Sequence, residues 1–133
     1  MSPDLSWVLN DVLQVRGARH AILVSADGLL LERSSEIGRD EAETNAAAMS
    51  SMQSLSRAVA PFVGGGGGTW RQTLLEYDHG WIFLIAAGSG AYLAASTASD
   101  VDMEAMSFRM QQQVGALGRA MTAAPRQSSH SGS

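Results

Sequence analysis

The chain has 133 residues, which fits one compact domain rather than two. It contains no cysteine and no lysine, which excludes disulfides, thiolate metal sites, Schiff-base lysines and the phosphate-binding lysine of a P-loop. A formal net charge of −4 argues against nucleic-acid binding, because proteins that bind nucleic acid carry a basic surface.

The N-terminal segment predicts a helix followed by a β-hairpin. Apolar residues recur at helical spacing over residues 3–15, with Ser2 as the expected cap. The apolar runs 20–26 and 29–33 flank Asp27-Gly28, a dipeptide that favours a tight turn between two strands. The first run is apolar without alternation, so we expect that strand to be covered on both faces.

A second helix is predicted from Asp40 to about residue 60, before Pro61. Asp40 and Glu43 have the spacing of a capping box. Large apolar residues form one stripe at helical spacing, and most other positions are alanine or serine. This stripe could be core or could contact another helix, and the sequence leaves both interpretations open. Its members are Met49, Met52, Leu55, Val59 and Phe62.

Three strands and a last helix are predicted in the C-terminal half. Five glycines at 64–68 form a connection, which we expect to be flexible, to an alternating, half-exposed strand at 69–77. Two further apolar strands cover 81–87 and 91–97. The last helix begins near Asp102, and residues 125–133 are expected to form a disordered tail. The core stripe predicted for this helix comprises Met103, Met106, Met110, Val114, Leu117 and Met121.

The element order α-β-β-α-β-β-β-α predicts an α+β domain over residues 1–124. No parallel crossover pattern repeats, so we expect a five-stranded antiparallel sheet with helices on both faces. The simplest strand order places 29–33 at one edge and 69–77 at the other. A long exposed edge strand tends to recruit another strand, and a second copy of the chain is the nearest source.

No catalytic, metal or cofactor site is predicted. Asp78 and His79 lie in a turn without a third ligand or a serine elbow, and the glycine run precedes a strand where a phosphate cradle would open a helix. Residues 79–99 carry no fixed charge, but Gly88-Ser89-Gly90 divides them into two strands. We therefore expect no membrane insertion. The N-terminus lacks a signal-peptide pattern, so we expect a cytoplasmic protein, and we expect no enzymatic activity.

The stretch from Gly17 to Leu31 resembles the opening hairpin of the roadblock (dynein-light-chain-like) family. The Ala/Ser-rich second helix, the glycine-rich connection and the apolar strand at 81–87 follow in the order of that family. The resemblance covers residues 3–121. It implies a roadblock/profilin-like homodimer whose sheets join at the third strand, with the second helices paired. Bacterial single-domain members of this type are found beside small Ras-like GTPases in actinobacterial signalling operons, which also encode a sensor-kinase-like protein.

The resemblance implies a non-enzymatic dimeric adaptor that binds a small Ras-like GTPase, with a sensor-kinase-like protein as a further partner. The alternative is a small-molecule-sensing domain of a signalling complex, which needs a pocket with convergent polar groups. The dimer interface is assigned to Leu55, Val59, Trp70, Arg71, Thr73 and Leu75. The surface that contacts the GTPase is assigned to Met49, Gln53, Ser56 and Arg57.

Overall fold

The computed structural model describes residues 4–88 and 90–131, with side chains described up to position 120. The helices are α1 (Ser6–Val12), α2 (Arg39–Ala58), a 3-10 turn η1 (Ala60–Val63) and α3 (Met103–Ser131). The strands are β1 (Ala18–Ser25), β2 (Leu30–Arg33), β3 (Gln72–Tyr77), β4 (Gly80–Ala86) and β5 (Ala91–Ala98).

The five strands form one antiparallel sheet in the order β2-β1-β5-β4-β3. This order confirms the prediction that the hairpin and the three-strand meander join through central strands, with β2 and β3 at the edges. It also confirms the predicted α+β class. Because β1, β4 and β5 are paired on both sides and buried on both faces, their near-continuous apolar sequences are explained.

The first face of the sheet is covered by α1 and α3. Leu23, Phe83 and Leu93 point from three neighbouring strands into a fully buried cluster. The predicted core stripe of α3 lies here: Met106, Met110 and Leu117 are buried, and Met103 and Val114 are partly buried. The side chain of the sixth member, at position 121, lies outside the described residues.

The second face is covered by α2, which packs on β1 and β2. Its core combines Ile22, Val24, Leu84 and Tyr92 from the sheet with small residues of the helix, and Ile37 closes the cluster. Because α2 lies over one side of the sheet, this face is not covered evenly from edge to edge.

Two details of the predicted caps differ in the structure. The capping box at Asp40 is wrong: α2 begins one residue earlier, after Gly38, and no side chain caps it. The cap predicted at Ser2 lies outside the described residues, and α1 begins at Ser6, whose backbone N–H donates to the Asp4 carboxylate at 3.0 Å.

The five-glycine segment connects η1 to the residues before β3, and its predicted flexibility stays a prediction. All five residues have positive φ, a region that glycine adopts without strain. At Gly67 a side chain would collide with the carbonyl oxygen of Ala60, so the segment folds back on η1 and β3 begins only at Gln72.

α3 includes part of the predicted tail, since it extends to Ser131. The predicted disorder of residues 125–133 stays a prediction.

Candidate interaction surface

The inner side of α2 is made of small and polar residues. Ala42, Ala46, Met49 and Gln53 are buried against the sheet. The two alanines carry little side chain, so the helix axis approaches β1 closely. The predicted stripe of large apolar residues on α2 therefore lies only partly in the core. Of its members, Met49 is buried and Met52 is partly buried against the sheet.

The outer side of α2 continues into η1 and exposes large apolar side chains to solvent. Leu55 is 68% exposed, Val59 62%, Phe62 96% and Val63 79%; these four residues are called the α2–η1 surface below. Pro61 enters the 3-10 turn at its start, which ends the α-helix and turns the last two residues outward. Contiguous exposed apolar residues mark a contact with another molecule more often than a bare surface.

The edge strand β3 is paired only with β4, and it meets the C-terminal end of α2 where Ser56 is hydrogen-bonded to Thr73. The backbone N–H of Ala86 donates to the carbonyl of Arg71 at 3.1 Å. Hydrogen-bonded pairs alternate along an antiparallel ladder, so the backbone groups of Thr73, Leu75 and Tyr77 bond β4 and those of the even positions between them point outward. The free edge therefore offers the backbone groups of Gln72, Leu74 and Glu76.

A small polar cluster ties the end of α2 to this edge strand. The Ser56 and Thr73 hydroxyls are hydrogen-bonded at 2.6 Å, and the Trp70 indole N–H donates to the same Thr73 hydroxyl at 2.9 Å. The Trp70 ring meets Tyr92 edge-on, with centroids 5.9 Å apart, and the Arg57 guanidinium lies 5.7 Å from the Trp70 centroid. These contacts fix the α2–η1 surface relative to the edge of the sheet.

The residues predicted for the dimer interface fall into two groups. Leu55, Val59 and Arg71 are exposed. Trp70, Thr73 and Leu75 are partly buried, and the first two belong to the polar cluster. Leu55 and Val59 lie at the end of α2, and the other four lie in β3 or directly before it. Their part in an interface stays a prediction.

The four residues predicted to contact the GTPase do not form one exposed surface. Met49 and Gln53 are only 6% and 8% exposed, so their side chains offer little area to a partner. Ser56 is partly buried and hydrogen-bonded to Thr73, and Arg57 alone is exposed. Helical spacing shows which residues share a side of a helix, but the sheet decides which side is buried.

The described residues show no arrangement typical of catalysis. Among them, no group of three or more histidine, cysteine or acidic residues could hold a metal ion. Hydrogen bonds from the backbone N–H and the hydroxyl of Ser6 lower the pKa of Asp4, which lies on the surface before α1. No helix in the described part of the chain is long and apolar enough to span a membrane.

A second feature on the α2 face is a cavity of about 200 Å³ between α2 and the sheet. Its floor includes His20 and Ser96, which are direct neighbours across β1 and β5. Sequence reasoning missed this pair, because the two residues lie 76 positions apart and only the strand register brings them together.

Comparison with protein families gives one match that covers most of the chain. The model of the Roadblock/LC7 domain matches residues 6–97, from the start of α1 to the end of β5. A comparison with curated proteins finds no match.

Solved structures show the same fold. A Roadblock/LC7 domain from Streptomyces avermitilis is similar with a TM-score of 0.83 and 30% identity, over 91% of this chain and 100% of that one. Myxococcus xanthus MglB has a TM-score of 0.80 and 13% identity, over 90% of this chain and 95% of that one. The gliding protein MglB from Thermus thermophilus has a TM-score of 0.74 and 19% identity, over 86% of each chain.

Proposed function

This chain belongs to the Roadblock/LC7 family, and from that premise we propose that it is a non-enzymatic homodimeric adaptor that binds a small Ras-like GTPase in a bacterial signalling system. One observation carries the proposal: the apolar α2–η1 surface lies beside an open strand edge. An unpaired strand edge next to exposed apolar side chains is suited to contacts between proteins rather than to catalysis.

Dimer formation is supported by the backbone of β3 and the neighbouring helix. Two β3 strands that meet antiparallel around a twofold axis would pair the outward groups of Gln72, Leu74 and Glu76 with their equivalents. The same symmetry would bring the two α2–η1 surfaces together, which removes Leu55 and Val59 from water. Burial of each such side chain contributes about 1.5–3 kcal/mol.

The GTPase would bind at the polar rim of the paired helices. Of the four candidates, Met49 and Gln53 are not part of the proposed contact because they are buried. Arg57 remains, stacked on Trp70, with Ser56 beside it. An exposed arginine held by an aromatic ring is preorganised to meet an acidic group of a partner.

The proposed mechanism is differential binding. A GTPase exchanges between conformations in its GDP- and GTP-bound states, and a partner shifts such an equilibrium only by binding one state more tightly. The adaptor needs no catalytic residue for this effect. We also propose that the protein acts in the cytoplasm.

The proposal predicts that Arg57→Ala weakens GTPase binding without abolishing stimulated GTP hydrolysis at saturating adaptor. We expect a loss of roughly 0.5–2 kcal/mol in binding, or about two- to thirtyfold in Kd, as for a rim charge. The control is Arg16→Ala, which removes an exposed arginine next to α1. Loss of hydrolysis at full occupancy would instead make Arg57 an arginine finger and contradict pure differential binding.

Affinity capture from the source organism's lysate tests the partner. The full chain is used as bait with GDP or a non-hydrolysable GTP analogue, and bound proteins are identified by mass spectrometry. We expect a Ras-like GTPase in one nucleotide state, with the α2–η1 variant Leu55→Arg as the non-binding control. Recovery of only a sensor-kinase-like protein, in both states, would contradict the GTPase assignment and leave the fold untouched.

A further inference from the structure

The cavity lies beneath the first half of α2, whereas the exposed Leu55 and Val59 lie at the C-terminal end of the helix. The floor is the row His20, Ser96 and Ile82, one residue from each of three neighbouring strands. Glu41, Asn45 and Met49 approach it from the first half of α2. Its volume of about 200 Å³ exceeds the roughly 150 Å³ that holds a benzene ring in an apolar cavity.

Small residues create this space. On the α2 face, β5 carries Ala94 and Ser96 at the two positions beneath the helix. The helix contributes Ala42 and Ala46 to the neighbouring core. The space opens to solvent beside Glu41, which is exposed, so a small molecule can enter it from solution.

Two polar atoms on the floor lack a partner. His20 Nδ1 and Ser96 Oγ are buried and make no hydrogen bond with another described residue. Leaving a buried polar atom unpaired costs about 1–3 kcal/mol, and native proteins seldom accept two such atoms side by side. A serine hydroxyl turns about χ1 and a histidine ring about χ2, so a bound polar group can engage both by side-chain rotation alone.

Asn45, Glu41 and Ser96 each bring a hydrogen-bond acceptor to the cavity. The Asn45 amide donates one N–H to the Glu41 carbonyl at 3.0 Å, which leaves its second N–H to donate and its side-chain oxygen to accept. The Glu41 carboxylate accepts only, and the Ser96 hydroxyl can accept as well as donate. Glu41 is the one charged residue in the described lining, and no arginine lies there.

From these contacts we infer that the cavity is a binding site for a small organic amine: a single ring or short chain that fills the apolar part, with a cationic head near Glu41, Ser96 and His20. The aliphatic walls at Ile22, Ile82 and Ala94 suit the apolar body. The absence of a cation in the described lining disfavours phosphates and carboxylates. This site is independent of the proposed GTPase contact.

A titration of the full chain with benzylamine, followed by amide NMR spectra, tests the inference. We expect saturable shifts at His20, Ser96 and Glu41 with a Kd in the millimolar range, as suits a fragment of this size. Benzoate has the same ring with the opposite charge and should bind at least about fivefold more weakly. Equal binding of the two probes, or no saturable shift at the lining, would overturn the inference.

Two carboxylates of α2 provide a matched pair of variants. Glu41→Gln removes the lining charge and should raise the benzylamine Kd roughly two- to fivefold. Glu43 is exposed, as Glu41 is, but it pairs with Arg39 outside the cavity, so Glu43→Gln should leave the Kd within about twofold. Equal effects of the two substitutions would show a general surface attraction and contradict the assigned site.

A space-filling variant tests the location. Ala94→Leu places a larger side chain in the cavity and should abolish the saturable shifts while the spectrum keeps its native dispersion. Ser96→Ala provides a second variant should Ala94→Leu fail to fold, and it should weaken binding several-fold through the lost hydroxyl. Persistent wild-type binding in a folded Ala94→Leu variant would overturn the site. Binding by Leu55→Arg but not by the wild type would show that a second copy fills the cavity.

Discussion

The two faces of the sheet are built on opposite plans. On the face covered by α1 and α3, large side chains interlock: Phe83, Met106, Met110 and Leu117 are completely buried. On the face covered by α2, small residues hold the helix, a cavity remains beneath it, and Leu55 and Phe62 point into solvent. The first face is packed within a single chain apart from Trp7 on α1 and Phe108 on α3, which are exposed. The second face leaves apolar surface and a cavity that another molecule can use.

This difference assigns separate tasks to the two faces. The first face buries the larger cluster of apolar residues, so the second can present exposed apolar residues without unfolding the domain. Open strand edges carry a risk of unspecific pairing, which a defined partner removes. The open edge at β3 and the α2–η1 surface adjoin, so one contact could cover both.

The largest expected effect is on the completed face. Phe83→Ala should lower the free energy of unfolding by about 3–5 kcal/mol, because it leaves a cavity in a fully packed cluster. Urea denaturation measures the change, and Phe62→Ala on the α2–η1 surface is the control, expected within about 0.5 kcal/mol at concentrations where the chain is monomeric. Similar losses for both variants would contradict the division between the faces.

The next effect concerns assembly. Leu55→Arg should raise the dimer dissociation constant by about a hundredfold, because an arginine would be buried unpaired in an apolar contact. The measurement is light scattering over a range of concentrations. Phe108→Arg is the matched control, since Phe108 is 66% exposed on α3 and Leu55 is 68% exposed on α2. Dissociation caused by Phe108→Arg and not by Leu55→Arg would place the interface on the other face.

A smaller effect is expected from the polar cluster of Ser56, Trp70 and Thr73, which connects α2 to β3. Thr73→Val removes the hydroxyl that bonds both Ser56 and Trp70, and should cost about 1–2 kcal/mol in the free energy of unfolding. Thr44→Val is the control, because the Thr44 hydroxyl bonds only the exposed Asp40 carbonyl within α2. An unchanged midpoint for Thr73→Val would show that this cluster does not hold α2 at the edge.

The order of helices and strands could be predicted because local patterns determine it. Asp27-Gly28 sets the first hairpin, apolar runs mark the central strands, and methionines at helical spacing mark α3. The side of α2 that faces the sheet could not be predicted in the same way. Hydrophobicity alone favours burial of Leu55 and Val59, yet the sheet offers its closest contact to the alanine side of the helix.

The functional features depend on contacts that no local pattern contains. The predicted strands contain few polar residues, so no local pattern in the sequence indicates a ligand site. The register of β1 against β5 then brings His20 beside Ser96. The hydrogen-bonding pattern of β3 is a second example. A proline at Thr73 would remove a hydrogen bond to β4, whereas a proline at Leu74 would remove a donor from the free edge. The sequence does not show which of these residues bonds β4.

Amide hydrogen exchange of the purified full chain tests the claim that the incomplete face is completed by a second copy. The amides of Thr73, Leu75 and Tyr77 point to β4 and should be protected in any case. The account predicts that the outward amides of Gln72, Leu74 and Glu76 are protected as well, and lose that protection on dilution or in Leu55→Arg. Rapid exchange of these three amides at every concentration, beside slow exchange of their neighbours, would contradict pairing through β3.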